Sequence, residues 1–132
     1  MAIKRVVIHS DGASRNNPGP AAIGATIKDG QGQLLATVSQ AIGRATNNQA
    51  EYRAVIAALE KAIKLGASQV ELNMDSELVA RQLTGRYRVK NEALKPLFGK
   101  AKRLLDSLED FKIKHIPRER NCEADSLAND AL

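Results

Sequence analysis

The stretch Gln33–Gly66, QLLATVSQAIGRATNNQAEYRAVIAALEKAIKLG, contains two hydrophobic periods, and the switch between them decides the fold. From Gln33 to Ile42 the apolar and β-branched residues follow an extended pattern, which predicts a strand. From Ala50 to Leu65 the apolar positions Val55, Ala58, Leu59 and Ala62 recur at helical spacing, so the chain passes from strand to helix near Thr46. Thr46-Asn47-Asn48-Gln49 has the spacing of a capping box, in which the Thr and Gln side chains each accept from the other's backbone N–H. Gly66 suits the position just past the helix, where a left-handed backbone is favoured.

Working outward, the turn Asp29-Gly30-Gln31-Gly32 joins Gln33–Ile42 to Ala21–Asp29, where Ile23, Ala25 and Ile27 alternate; the pair predicts a hairpin. Ile3–Ser10 is a β-branched run that reads as another strand, and Asp11–Pro20, dense in Gly, Asn, Pro and Ser, reads as a loop. Downstream, Val70, Leu72 and Met74 alternate as a strand ending at Asp75, and Ser76–Leu83 reads as a short helix. Leu94, Leu97, Phe98, Ala101, Leu104, Leu105 and Leu108 mark a longer amphipathic helix, with Pro96 confined to its first turn because proline has no N–H to donate. Phe111–Ile116 completes the strands. Asn121 is placed to cap a last helix with the stripe Ala124, Leu127, Ala128 and Ala131. The order βββαβααβα predicts an α/β fold with a mixed five-stranded sheet, a three-stranded antiparallel meander plus two parallel strands, flanked by helices. No repeat or linker-like tract interrupts it, so 1–132 reads as a single domain.

The chain has 132 residues and a single cysteine, Cys122, which excludes a disulfide framework and a multi-cysteine metal site. The longest apolar runs are only a few residues, far short of the roughly 18–20 that cross a bilayer, and Met1–Ser10 lacks the apolar stretch of a signal peptide. The expectation is therefore a cytoplasmic protein with no membrane contact. With Tyr52, Tyr87, Phe98 and Phe111 as the only aromatics, a surface that binds nucleic acid by stacking bases is excluded. The net charge of +5 still permits phosphate binding. Eight basic residues, from Arg81 through Arg86, Arg88, Lys90 and Lys95 to Lys100, Lys102 and Arg103, face only Glu92 in that segment. A solvated basic helix face explains this as well as a polyanion site does.

Four carboxylates stand in places that need explaining. Asp11 and Asp75 each follow an apolar strand, where ligand sites of open α/β sheets gather. A turn at Asp11-Gly12 and a helix cap at Asp75 are the simpler readings. Glu51 precedes Val55, Ala58, Leu59 and Ala62 at intervals that put it on the buried face of its helix. A charge there costs several kcal/mol unless it is paired or metal-bound, although a first-turn contact with the helix dipole also fits. Asp125 sits in the first turn of the last helix and carries the same dipole alternative. Were the four to converge, they could not stay ionised without cations. Oxygen-only ligands select Mg²⁺, or Mn²⁺ as a substitute, and carboxylates spanning two such ions suit in-line phosphoryl displacement.

Asp11-Gly12-Ala13-Ser14-Arg15-Asn16-Asn17-Pro18-Gly19-Pro20, Thr46-Asn47-Asn48-Gln49-Ala50-Glu51 and Met74-Asp75-Ser76 occur in this order. Val89-Lys90-Asn91 follows, and then Asn121-Cys122-Glu123-Ala124-Asp125 with Leu127-Ala128-Asn129. This set resembles the motifs of the type 1 ribonuclease H family, and the resemblance covers nearly the whole chain. It implies that Asp11, Glu51, Asp75 and Asp125 are catalytic carboxylates binding two Mg²⁺ ions. The implied activity is cleavage of the RNA strand of RNA–DNA hybrids, leaving 5′-phosphate and 3′-hydroxyl ends; the chain is expected to act as a monomer. It also implies that the backbone at Gly12 and Ala13, with Asn48 and Glu51, reads the RNA 2′-hydroxyl, and that Asn17 and Thr46 hold a phosphate of the DNA strand.

The chain departs from the family pattern in three ways. Asn16 stands where the family often has Gly, a change Asn tolerates because it accepts a left-handed backbone. The loop that carries a His before the last Asp in many members is shortened to Pro117-Arg118-Glu119-Arg120-Asn121. His9 and His115 both fall in strands and read as structural, so Arg118 is the candidate to replace the missing His. The basic protrusion between the middle helices is absent, leaving Gly85–Asn91 as a short basic connection. Arg86, Arg88, Lys90 and Lys95 are the candidates there to track the DNA strand. Two alternatives share the fold: a nuclease that also cuts double-stranded RNA, and a non-catalytic hybrid-binding module, against which the four intact carboxylates argue.

Overall fold

The computed structural model describes residues 4–132. Ile3, the first residue of the first expected strand, lies outside them. Five strands and four helices follow in the expected order: β1 (Arg5–Ser14), β2 (Gly19–Asp29), β3 (Leu34–Ala45), α1 (Asn47–Lys64), β4 (Gln69–Met74), α2 (Glu77–Leu83), α3 (Lys95–Asp106), β5 (Asp110–His115) and α4 (Cys122–Asp130). The strands form one sheet in the order β3-β2-β1-β4-β5. β1 pairs antiparallel with β2 and β2 with β3, while β1 pairs parallel with β4 and β4 with β5. No helix among the described residues is long and apolar enough to cross a membrane.

The core lies between the sheet and α1, with α3 packed beside it. Val6, Ile8, Val70, Leu72 and Met74 point from alternate positions of β1 and β4 into the layer formed by Val55, Ala58, Leu59 and Ala62 of α1. The helical stripe is thus buried as its spacing requires. Pro96 lies in the first turn of α3, where its missing N–H costs nothing. Asp29 closes the β2–β3 turn by accepting from the Gln31 and Gln33 amides at 2.9 Å. Asn16 adopts φ +62°, the left-handed conformation anticipated for it.

The structure corrects three expectations. Asp11–Pro20 is not a loop throughout, because β1 continues to Ser14 and β2 begins at Gly19. The reason is that β1 has two neighbours of unequal length: the ladder to β4 ends at Ser10↔Met74, whereas the ladder to β2 runs on through Asp11↔Gly24 to Ser14↔Ala21. β3 extends past Ile42 to Ala45, since a register shift opposite Ala21 and Ala22 and a φ of +78° at Gly43 absorb an extra residue without ending the ladder. Asn121 precedes α4 as expected, yet its side chain makes no capping bond. It turns inward, and its Nδ2 donates to the Ser10 carbonyl of β1 at 2.9 Å.

Candidate active site

Asp11 is the first residue of β1 beyond the end of β4, and Asp75 immediately follows β4, so the two carboxylates lie side by side at one edge of the parallel ladder. α1 brings in the third. Its capping box is formed: the Gln49 amide donates to Thr46 Oγ1 at 3.1 Å and the Thr46 amide to Gln49 Oε1 at 2.8 Å. The helix therefore starts at Asn47, which puts Glu51 beyond its first turn and removes a dipole contact as the reason for the carboxylate. Gly12 makes the approach possible. A Cβ there would lie inside van der Waals contact with the backbone of Ala50 and Glu51, so only glycine lets α1 settle against β1 at this point.

Asp11, Glu51 and Asp75 each offer an oxygen, all within 4.8 Å of one another. Asp125, in the first turn of α4, lines the same cleft, and its carboxylate is near enough to Asp11 to raise that residue's pKa. Arg118, on a single 3-10 turn before α4, holds its guanidinium 4.0 Å from Asp125 and is 81% exposed. Asp75 is not a cap, because Ser76 performs that task, accepting from the Val79 amide at 3.3 Å. These groups line an open cleft of about 460 Å³ together with Gly12, Ala13 and Asn48.

Burial and mutual repulsion oppose ionisation of the cluster. Asp11 is only 5% exposed; its burial first, and then its carboxylate neighbours Asp125 and Asp75, push its pKa up to about 7. Glu51 is raised well above the usual carboxylate range, again mainly by burial and then by Asp11, the nearby Gly12 backbone opposing the shift. Burial and the mutual repulsion of Glu51 and Asp11 both favour the neutral carboxyl over the carboxylate. Donors that are oxygen alone, this close and this reluctant to ionise unaided, fit a hard divalent cation.

The structure thus brings Asp11, Glu51, Asp75, Asp125, Arg118, Gly12, Ala13 and Asn48 into one cleft. Asn17 and Thr46 stand beside it at the start of α1, where Asn17 Oδ1 accepts from the Asn47 amide at 2.8 Å. Arg86, Arg88 and Lys90 lie apart on the exposed connection between α2 and α3. Lys95 is paired with Glu92 at 2.7 Å. Neither His lines the cleft: His9 is half-buried in β1, its pKa lowered by burial and then by Lys28, and His115 is exposed at the end of β5. Four lining residues had been given no role from sequence, namely Ser14, Asn47, Ser76 and Asn129. The signal for Asn129 was its place one turn after Asp125. Asn47 ties β1 to α1, its Oδ1 accepting from the Ser14 amide at 3.0 Å.

This order of strands, with an acidic cluster where the parallel ladder stops, defines an α/β fold of the ribonuclease H type. Residues 9–131 match the family described as reverse transcriptase-like. Ribonuclease HI of Halobacterium salinarum is 49% identical over 128 residues, 97% of this chain and 64% of that protein. The crystal structure of RNase H1 from that organism superposes with a TM-score of 0.94 over 96% of each chain. A bifunctional protein of Mycobacterium tuberculosis is 48% identical over 97% of this chain and 35% of its own length. The structure of its N-terminal RNase H domain also gives a TM-score of 0.94, covering 96% of this chain and 98% of that one. LC11-RNase H1, solved in complex with an RNA/DNA hybrid, is 44% identical with a TM-score of 0.91, over 96% of this chain and 95% of that one. The chain belongs to the reverse transcriptase-like family, in its ribonuclease H branch. It spans 64% of the length of the halobacterial relative and 35% of the mycobacterial one.

Proposed function

We propose that this chain is a ribonuclease H, an endonuclease that hydrolyses the RNA strand of RNA–DNA hybrids and leaves 5′-phosphate and 3′-hydroxyl ends. The observation that carries the proposal is the convergence of Asp11, Glu51 and Asp75 within 4.8 Å on a fold this similar to an RNase H1 solved with a hybrid. Asp11, Glu51, Asp75 and Asp125 would hold two Mg²⁺ ions, with Mn²⁺ able to substitute. Bound there, the ions supply the charge neutralisation and Lewis acidity that displacement at phosphorus requires.

The chain's own residues perform the remaining tasks. The backbone at Gly12 and Ala13 and the side chains of Asn48 and Glu51 receive the RNA 2′-hydroxyl, the group that separates RNA from DNA. Asn17 and Thr46 spend acceptor oxygens on α1, which leaves the Asn17 amide N–H groups and the Thr46 hydroxyl proton to donate to a DNA-strand phosphate. Arg118 serves through its guanidinium charge and donors at the mouth of the cleft, stabilising the phosphate as negative charge builds on the departing oxygen. Arg86, Arg88 and Lys90, with Lys95 beside them, follow the DNA strand as point charges. Action as a monomer in the cytoplasm belongs to the same proposal, in keeping with the free, exposed thiol of Cys122.

Labelled RNA–DNA, RNA–RNA and DNA–DNA duplexes test this directly, each with Mg²⁺, with Mn²⁺ and with chelator, beside an Asp11→Asn control. The RNA of the hybrid should be cut with either ion and in no other condition. Cutting that survives chelator or Asp11→Asn overturns the metal-dependent reading, and binding without cutting makes the chain a hybrid-binding module. Cutting of RNA–RNA widens the substrate. Replacing Arg86, Arg88 and Lys90 by Gln should flatten the salt dependence of hybrid binding by a slope of about 2–3 while sparing single-turnover chemistry at saturation. An unchanged slope removes them from the DNA track.

A further inference from the structure

Asp125 reaches the cleft from α4, a helix of only nine residues, and two buried features fix where that helix lies. The first is Asn121, which is 1% exposed. Its Nδ2 donates to the carbonyl of Ser10, the residue before Asp11, at 2.9 Å. Its own carbonyl accepts from the Asp125 amide at 3.1 Å. Two hydrogen bonds through one residue thus join the backbone on either side of the Asp11–Asp125 contact, across 111 positions of sequence. The Oδ1 of Asn121 is buried with no partner among the described residues. An apolar side chain of the same volume would pack there without that penalty, so packing alone does not account for an asparagine.

The second feature is Gly24, the cross-strand partner of Asp11. A Cβ on Gly24 would fall inside van der Waals contact with the Ala124 carbonyl oxygen and the Ala128 amide, and 3.0 Å from the Leu127 carbonyl carbon. Ala124 and Ala128 are fully buried. The backbone of α4 therefore rests directly on β2 at the ladder position of Asp11, with no side chain between them.

We infer that Asn121 and Gly24 are positioning residues that set Asp125 against Asp11, Asn121 by fixing the start of α4 along β1 and Gly24 by fixing its height above β2. The inference rests on the metal-holding role proposed above for the four carboxylates. Asn121→Ala frees the start of the helix, and Gly24→Ala lifts it by roughly 1 Å to reach ordinary contact distance. A misplacement of that size is enough to cost about 10²-fold in turnover.

Calorimetric titration of the metal-free protein with Mn²⁺, paired with kcat and KM on a hybrid, tests this for Asn121→Ala, Gly24→Ala, Asp125→Asn and the double variant Asn121→Ala/Asp125→Asn. Asn121→Ala should weaken Mn²⁺ binding about 10- to 100-fold and lower kcat, with KM within about twofold of the parent. The double variant should lose nothing beyond Asp125→Asn. Should Gly24→Ala not fold, Asn121→Ala carries the test, read below its melting temperature and beside Thr26→Val, a buried change in β2 that should leave Mn²⁺ affinity unaltered. Parent-like metal affinity and kcat in Asn121→Ala, with both lost in Asp125→Asn, overturns the inference alone. Additive losses in the double variant overturn it as well. Parent-like behaviour of Asp125→Asn instead overturns the assignment of that carboxylate, and the inference with it.

Discussion

Asp11 is flanked by two helices that reach it in unequal ways. On one side α1 runs for 18 residues, starts from a complete capping box and buries eight residues, Tyr52, Val55 and Leu59 among them. On the other, α4 has nine residues, no side-chain cap, and only Ala124 and Ala128 buried. Glu51 is therefore fixed by a broad hydrophobic contact worth many kcal/mol, whereas Asp125 depends on a few specific contacts. The cleft has a rigid wall and a thin one, and the thin wall also carries Arg118, the most exposed of the proposed catalytic groups.

The largest effect that bears on this asymmetry lies where the walls meet. Asp11→Asn should lower turnover by about 10³-fold or more, since several kcal/mol of charge stabilisation depend on it. The same change should raise the metal-free melting temperature at pH 8. The Asp11 pKa, raised by burial to about 7 in the fold, favours the folded state fully below its unfolded value near 4. That contribution is lost as pH rises through about 7. The parent protein without metal should thus melt lower at pH 8 than at pH 5, and Asp11→Asn should reduce the difference, which scanning calorimetry at the two pH values would show.

The glycine pair breaks or sharpens the contrast most directly. Gly12→Ala pushes against the thick wall, which cannot yield, and should cost about 2–3 kcal/mol in urea unfolding. Gly24→Ala pushes against a short helix that can lift, so its cost in stability should be smaller and its cost in metal affinity larger. Equal stability losses at the two positions would show that the walls are alike. Arg118→Ala should reduce kcat about tenfold with little change in melting temperature, the charge being outside the core; unchanged turnover removes Arg118 from the chemistry. Thr46→Ala is the smallest, costing about 1 kcal/mol by loss of the cap. A full-sized loss there with no movement of Mn²⁺ affinity would confirm that the thick wall tolerates local damage.

The same asymmetry governs how much of the site could be read from sequence. The α1 wall was legible because its signals are local: Thr46 and Gln49 lie three residues apart, and Glu51 shares a helical face with residues at fixed intervals after it. The carboxylates themselves were visible as misplaced charges beside apolar elements. Their meeting was implied by the family resemblance alone and by no local pattern, since it depends on β4 stopping one residue before Asp11 while β2 continues. That difference in length also turned an expected loop into strand. Asn121 looked like a helix cap because residue type and position both suit one. Its bond to Ser10 spans the chain, and no short-range pattern encodes a partner that distant. Gly24 offered still less, being one glycine within an apolar strand, and its use becomes visible only once α4 lies on β2.

The late place of α4 in the chain has a consequence for biosynthesis. When the ribosome has completed β5, all five strands and three of the four carboxylates are present, together with α1. The fourth carboxylate and Arg118 arrive only with the following fifteen residues. At elongation rates of about 5–20 residues per second the interval is roughly one to three seconds. Throughout it, the nascent chain lacks the contact that closes its own cleft.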